Sequence, residues 1–599
     1  MSIVALKKVT LCGLLREKAD ILGGLQDLGC LHLVPLRPAP AEPEKAASPH
    51  AEAATKALRF LTDMPDKRKQ VRREAGFDLD RVVTDTLTVQ RRLRDAEDRR
   101  DFLEHRIGQV EPWGDLVFPP EAALAGLRLW FYVLPAGKTK ALDEIDLPWQ
   151  IVHRNPRRAY VVVIAEAEPP VDLLPVPRTH TGALPLNELK QQLEDTEIEI
   201  EALVAERQAL TRFIYLLSLN LARADDRAAR AHAAELTRDA HGVCALQGWA
   251  PAEAVAAVER FAEDQGLALL VEAPGEGDAP PTLLAAPAGM AAGADLALFY
   301  QTPGYRTWDP SLILFCSFSL FFAMILSDAG YALVLSALLG IYWRRLGEGA
   351  TGRRFRVLGA CLCGSALVWG VLSGGYFGLS PAPGSALAAL KLIDLNDFHT
   401  MMRLSIVIGA LHIMLANGVV AALNWRRRDV AVPKLGWIGA ILGGLLLWLS
   451  GASGFLGMPG VVLLAAGLTA VFGFSSARPA GTAKDVLFRV LDGLLALSNV
   501  TKAFGDVLSY MRLFALGLAS ASLALTFNQL AGQVQAAVPG LGLFIGILIL
   551  LLGHALNLAL SIMSGVVHGL RLNFIEFYNW GLSEEGYPFK AFARKEVQP

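Results

Sequence analysis

Cysteine is scarce. The 599 residues contain six, Cys12, Cys30, Cys244, Cys316, Cys361 and Cys363, three of them in apolar runs and none in C-x-x-C spacing. That pattern gives neither a disulfide framework nor a thiolate metal site. H-E-x-x-H and a nucleophile elbow are also missing. Gly137-Lys138-Thr139 looks like the end of a phosphate-binding loop, but Tyr132 stands where that motif needs its first glycine. No catalytic residue, metal or cofactor is therefore expected, and no nucleic acid partner. The N-terminus, MSIVALKKVTLCGLLREKAD, lacks the apolar core of a signal peptide, so the first half is expected to stay in the cytoplasm.

Acid is scarce in the second half. Residues 301–599 hold 13 of 58 Asp+Glu and 21 of 56 Lys+Arg, a net charge of +8; residues 1–300 carry 45 and 35, a net −10. A soluble acidic half is thus joined to a membrane half, and the total of −2 conceals the split.

In the soluble half, strand-like runs at 3–14 and 30–36 flank a helical pattern at 16–29, and the Pro-rich run LRPAPAEPE (36–44) follows. An apolar seam then steps by three and four through Leu79, Val82, Thr86, Val89, Leu93, Ala96, Arg100, Leu103, Ile107 and Val110. A second seam of the same length runs Leu186, Leu189, Leu193, Thr196, Ile200, Leu203, Arg207, Leu210, Ile214 and Leu217. Between them lie LRLWFYVLPAG and AYVVVIAE. Two matched seams around a compact lobe predict an antiparallel coiled-coil hairpin with a head at its tip, preferred over a dimerisation module. The chain then returns as strand 242–251, helix 252–265 and strand 267–273.

The membrane half has hydrophobic runs near 309–326, 329–343, 357–379, 404–424, 435–451, 459–475, 487–530 and 540–578, which predicts eight spans. Arginines and lysines cluster after even spans: Arg344–Arg356, Arg426–Lys434, Arg478–Arg489 and Lys590–Lys595. This places both termini in the cytoplasm. The last run is about 39 residues, or roughly 58 Å of helix, against a hydrocarbon core of about 30 Å. Spans seven and eight must tilt or project.

Those two runs carry Arg512 and Arg571, charges that cost several kcal/mol at membrane depth and usually work there. On span eight His554, Asn557, Ser561, Ser564, His568 and Arg571 share one face. On span seven Ser498, Lys502, Gly505, Asp506, Ser509 and Arg512 keep the same rhythm, with Ser520 beyond. Small polar residues are common glue between membrane helices. Two histidines and an arginine on one stripe exceed what glue needs, and a hydrated ion path fits better. Asp506 lies about 240° around the helix from Arg512 and four residues after Lys502, the spacing of an ion pair. Glu576, five after Arg571, points away. Asp328 is the other candidate acid. The simplest expectation is that the arginines meet a carboxylate supplied by another protein.

SYMRLFALGLA (509–519) and HGLRLNFIEF (568–577) resemble the two arginine motifs of the membrane stator subunit of rotary V-type ATPases, the subunit a / subunit I family. YQTPGYRTWDPS (300–311), FFAMILSDAGY (321–331) and KKVTLCGL (7–14) resemble it too, so the likeness covers the chain in order. The resemblance implies a cytoplasmic stator arm at 1–300, with a proximal α/β lobe (1–45 and 240–275), a coiled coil (50–112 and 185–235) and a distal α/β lobe (113–180). It implies an ion-translocating membrane domain at 301–585 and a cytoplasmic tail at 586–599. The implied partners are a rotor ring of proteolipids whose carboxylate faces Arg512 and Arg571, peripheral stalk subunits on the N-terminal domain, other ATPase subunits and membrane lipid. The chain would be a non-catalytic, multi-pass subunit, in a bacterial inner membrane, of a complex that couples ATP to H⁺ or Na⁺ movement. Half-channel candidates are His554, Asn557, Ser561, Ser564, His568, Ser509, Ser520, Asp506, Lys502 and Glu576. Some relatives have Glu at the position of Ser561 and His at that of Ser520; eukaryotic ones have uncharged polar residues at Lys502 and Asp506. The alternative is a secondary transporter with a cytoplasmic regulatory domain, which would show internal repeats and broken helices. A membrane-anchored coiled-coil scaffold would leave the polar stripes without purpose.

Overall fold

A computed structural model describes residues 2–36, 49–73, 76–115, 126–170, 173–180, 184–285, 291–394, 397–450, 457–476, 478, 481–538, 540–582 and 584–595. The Pro-rich run 36–44 lies outside them apart from Leu36. The chain is mostly helical and divides into two compact units.

One unit comprises residues 16–29, 35–238 and 593–599. Its long helices are Leu79–Val110 and Leu186–Leu210. Asp78 starts the first by accepting the N–H groups of Asp80 and Arg81, donors that a helix start otherwise leaves unpaired. The two seams meet head to tail: Leu103 and Val110 pack with Leu186 and Leu189, and Val89 and Leu93 with Leu203. The second seam is not one helix. A 3-10 turn at Thr211–Phe213 interrupts it, and beyond the turn Leu217 packs with Ala54, Ala57 and Leu61 of the helix Pro49–Thr62. Arg207, a polar seam position, donates to the Phe60 carbonyl at 2.6 Å and lies over the Phe60 ring.

The small lobe between the seams is a four-stranded antiparallel sheet, with Arg128–Pro135 and Arg158–Ala165 central. Alternation fills both faces: Trp130, Tyr132, Val161 and Val163 on one, Phe131, Tyr160 and Val162 against Trp113 on the other. An α/β lobe was expected here. Its described residues include strands and a 3-10 segment, Ala136–Leu142, and Trp113 packs on one sheet face; residues 116–125 of the expected lobe lie outside the described residues.

The other unit comprises residues 1–15, 30–34 and 239–592. Its antiparallel sheet places Leu6–Leu14 between Ala268–Glu272 and Val243–Pro251, with His32–Val34 beyond. Gly248 is required where strands crowd: a Cβ there would sit 2.7 Å from the His32 carbonyl oxygen. The segment Tyr587–Phe592 binds this sheet through its backbone. Thr282 N–H donates to the Tyr587 carbonyl (2.8 Å) and Phe592 N–H to that of Leu31 (2.7 Å). Lys590 N–H donates to His32 Nδ1 at 2.9 Å.

The expected membrane runs are largely helical, and among the described residues six helical runs are long and apolar enough to cross a membrane. Ser311–Leu326 is apolar but has only 16 residues, about 24 Å of helix. It is buried on nearly every side and forms the centre of the membrane core, its own Phe321 in one cluster with Tyr331, Tyr510 and Phe577. A helix that is apolar all round belongs inside.

Candidate functional site

The Arg512 run is not one helix. Ala483–Leu508 ends, Ser509 and Tyr510 form a turn, and Met511–Ala537 begins. No proline causes this. Tyr510 is fully buried, its hydroxyl 2.8 Å from His412 Nδ1, and His412 stacks on Phe577 at 4.3 Å between ring centres. Burying that ring fixes the backbone at the break. Arg512 therefore stands in the first turn of a helix, whose dipole favours a nearby anion, while its N–H and that of Leu513 bond the Ser509 and Tyr510 carbonyls at 3.3 and 3.0 Å. The expected continuous stripe from Ser498 to Arg512 is interrupted there.

The anion is Glu576. Gly542–Arg571 is followed by a π-helical segment, Leu572–Phe577, within one helical run of 40 residues ending at Gly581. Five residues along an α-helix turn about 140° away from the starting face, which is why Glu576 was expected to point away. The wider π turn changes that phase. Glu576 is 2% exposed, and its Oε1 lies 4.0 Å from Arg512 Nη1. Neither arginine was expected to have an acid on its own helix; for Arg512 a different helical run of the same chain supplies one, where the simplest expectation was another protein. A buried carboxylate beside a half-buried guanidinium offsets part of the cost of desolvating both. At 4.0 Å they are not hydrogen-bonded. Arg512 Nη1, Glu576 Oε2 and His568 Nδ1 are buried without a close protein hydrogen-bond partner among the described residues, and the Ser509 side chain stands beside the Glu576 carboxylate. Arg571 is exposed and lies within electrostatic reach of Arg512, Glu576 and His568. Ser564 is half-buried on the same helix.

The other candidates lie elsewhere. Asn557 and Ser561 lie in the buried face of the Arg571 helix, alternating with Gly553, Gly565 and Gly569. Ser561 Oγ is 2.8 Å from Ser520 Oγ. Asn557 donates to the Tyr331 hydroxyl and to the Ser520 carbonyl, both at 2.9 Å. His554 is bonded on both ring nitrogens, to the Tyr331 hydroxyl (2.7 Å) and Asn528 Oδ1 (3.0 Å). Tyr331 and Asn528 were not singled out from the sequence. The DAGY motif pointed at Tyr331, whereas Asn528 had no local signal.

One expected pairing is replaced, and one candidate acid is engaged elsewhere. Asp506 accepts from Trp580 Nε1 at 2.7 Å, and no ion pair joins it to Lys502 among the described residues. Asp328 caps the helix Ala329–Leu346, accepting the N–H groups of Tyr331 and Gly378, each at 3.0 Å, so it is no counter-charge for an arginine. Lys502 is exposed near the Trp580 ring, and Ser509 bonds the Gly505 carbonyl at 3.1 Å.

The chain is 29% identical over 99% of its length to V-type ATP synthase subunit I 1 of Treponema pallidum, all of which (100%) it covers. It is 24% identical to V-type ATP synthase subunit I of Borreliella burgdorferi, with 99% of each chain covered. With A-type ATP synthase subunit I of Methanocaldococcus jannaschii it shares 27% identity over 68% of its length and spans 63% of that relative. A crystal structure of the cytoplasmic N-terminal domain of subunit I, homolog of subunit a, of V-ATPase is similar over 44% of this chain and 99% of its own, with 19% identity and a TM-score of 0.21. No protein-family model matches.

Proposed function

We propose that this chain, a homologue of the proteins named subunit I of V-type and A-type ATP synthases, is the static membrane subunit of a rotary ATPase and carries ions past Arg512 and Arg571. The observation that carries the reading is the Arg512–Glu576 pair with its unpaired hydrogen-bonding atoms. A purely structural ion pair would close those bonds, because a buried unsatisfied polar atom costs about 1–3 kcal/mol. A site that receives a carboxylate from a moving partner must leave them open between visits.

In this reading a proteolipid carboxylate arrives protonated. The positive field of Arg512 and Arg571 favours its ionised form, so the ion leaves on one side. The guanidinium, which keeps its charge, blocks direct leakage past it. Glu576 holds Arg512 in place while no carboxylate is present. Ser509, Ser564, His568, Asp506 and Lys502 would give access to the arginines, while His554, Asn557, Ser561 and Ser520, also expected on the path, are bonded to one another and to Tyr331 and form a seam beside it. The finer architecture belongs to the same proposal. Ser311–Leu326 and Ala329–Leu346 complete eight spans, both termini are cytoplasmic, the membrane is a bacterial inner membrane, and the long helix pair forms a coiled-coil arm held by peripheral stalk subunits. ATP chemistry takes place on other subunits.

The break at Ser509–Tyr510 is one feature that a secondary transporter would also have. Similarity to subunit I relatives over nearly the whole chain favours the stator reading. The deciding experiment is ATP-driven ion uptake by the assembled complex in proteoliposomes. Arg512→Ala should abolish coupled uptake while the complex still assembles; full pumping by that variant would refute the proposal.

A further inference from the structure

A cavity unrelated to the arginines lies among the helices Phe398–Leu423, Arg428–Ser450, Gly457–Phe474 and Ala483–Leu508. It holds about 410 Å³, and its wall is apolar, with Ala440, Leu445, Trp448 and Phe504 among the lining residues. Trp437 lines this cavity and also a second one of about 330 Å³, where the lining turns polar: Lys434, Lys502, Asn499, Asn579 and Ser475. Trp437 thus stands between an apolar slot and a basic recess and lines both. The recess is built around Trp580, which packs edge-on against Trp437 at 5.2 Å. Lys434 Nζ and Lys502 Nζ each lie 5.8 Å from the Trp580 ring, and Lys434 donates to the Trp580 carbonyl at 2.8 Å.

The acids around this recess are already engaged. Asp429 pairs with Arg427 at 3.2 Å, and Asp506, within electrostatic reach of Lys502, accepts from Trp580 Nε1. Neither lysine has a carboxylate within 4.0 Å among the described residues. Two ammonium groups without an acid, set where an apolar slot meets the polar end of a helix bundle, match a molecule with a negative head and a long apolar tail. Basic recesses between membrane helices at the cytoplasmic face bind anionic lipid head groups for this reason. Arg426, Arg427 and Arg428 stand at the same end and add to the field.

We propose that this recess binds one anionic phospholipid, its phosphate between Lys434 and Lys502 beside Asn499 and Asn579, and an acyl chain in the slot along Trp437 and Trp448. Zwitterionic lipid lacks the net charge that the lysines select, and a soluble phosphate lacks the tail. Gly444 lies in the slot wall, and a Cβ added there meets no protein atom within 4 Å. A larger side chain at that position enters the acyl space without disturbing the helices.

The test uses the full chain in its assembled complex, purified in mild detergent, stripped of lipid and titrated by native mass spectrometry. Phosphatidylglycerol should bind with one tight site per chain, phosphatidylcholine at least tenfold more weakly, and glycerol phosphate should not compete. The double variant Lys434→Gln/Lys502→Gln should weaken phosphatidylglycerol at least tenfold, and Lys434→Arg/Lys502→Arg should keep it, which separates charge from folding. Gly444→Leu should also lose the lipid with both lysines intact. Equal binding of the two lipids, full competition by glycerol phosphate, or unchanged binding in the Gln double variant would each overturn the proposal. Lys502 also stands in the proposed ion-access route, so Gly444→Leu, which touches no residue of that route, is the variant that separates lipid binding from ion transport.

Discussion

Two polar regions lie in the same pair of membrane helices and behave differently. Around Tyr331, the groups of His554, Asn557, Ser520 and Ser561 bond one another at 2.7–2.9 Å. Around Arg512 the groups are closer in charge than in hydrogen bonding, with a 4.0 Å ion pair and unpaired atoms on Arg512, Glu576 and His568. Polarity alone does not separate a seam from a working site inside a membrane. Satisfaction does: a closed network has little left to offer a partner, and an open one does.

The contrast breaks first at Arg512. Arg512→Ala should reduce coupled ion uptake to background with the complex intact, whereas Asn557→Leu should leave the surviving complex active. If the two variants lost transport equally, the distinction between open and closed networks would fail. Glu576→Gln comes next. It keeps the shape and removes the charge that holds Arg512, so uptake should fall at least tenfold. Read instead as the unfolding midpoint in detergent, the losses of Glu576→Gln and Arg512→Ala should not add in the double variant, the non-additivity expected of coupled residues. An additive double variant would mean that the pair does not act as a unit.

In the closed seam the effects should be on stability. Asn557→Leu strands the Ser520 carbonyl and costs about 1 kcal/mol, the scale of hydrogen bonds between membrane helices, seen as a lower unfolding midpoint in detergent. The smallest effect is expected at His32, outside the membrane. Burial lowers its pKa, and the nearby Lys590 charge lowers it further. A histidine held below its unfolded value of about 6.5 contributes stability above that pH and loses it as pH falls towards the folded value. Protonation also removes the Nδ1 acceptor. Hydrogen exchange at the Lys590 amide, corrected for intrinsic rates, should accelerate below about pH 6.5 in the wild type, and His32→Asn should flatten that dependence.

Much of this was legible in the chain. Periods of two and of three and four gave the strands around Val9 and Val161 and the seams through Val89 and Leu203, because a single element buries one face and spacing records which. Hydropathy found the membrane runs, and the cost of burying charge drew attention to Arg512 and Arg571. Other features were not legible. The turn at Ser509–Tyr510 and the π segment Leu572–Phe577 contain no proline, so counting 100° per residue carried the stripes straight through both. Asp506 was matched to Lys502 by spacing, yet its partner is Trp580, 74 positions away.

By itself, then, the sequence determined which segments leave water, which faces pack, and that two arginines sit at a price in apolar helices. These follow from local periodicity and transfer energies, which depend on near neighbours. Only the tertiary structure decided that Tyr510 breaks one helix, that a π turn swings Glu576 towards Arg512, and that Asn557 and Ser561 are tied into a seam. Those outcomes depend on which groups from distant segments compete for the same bond, and no single helix contains that information.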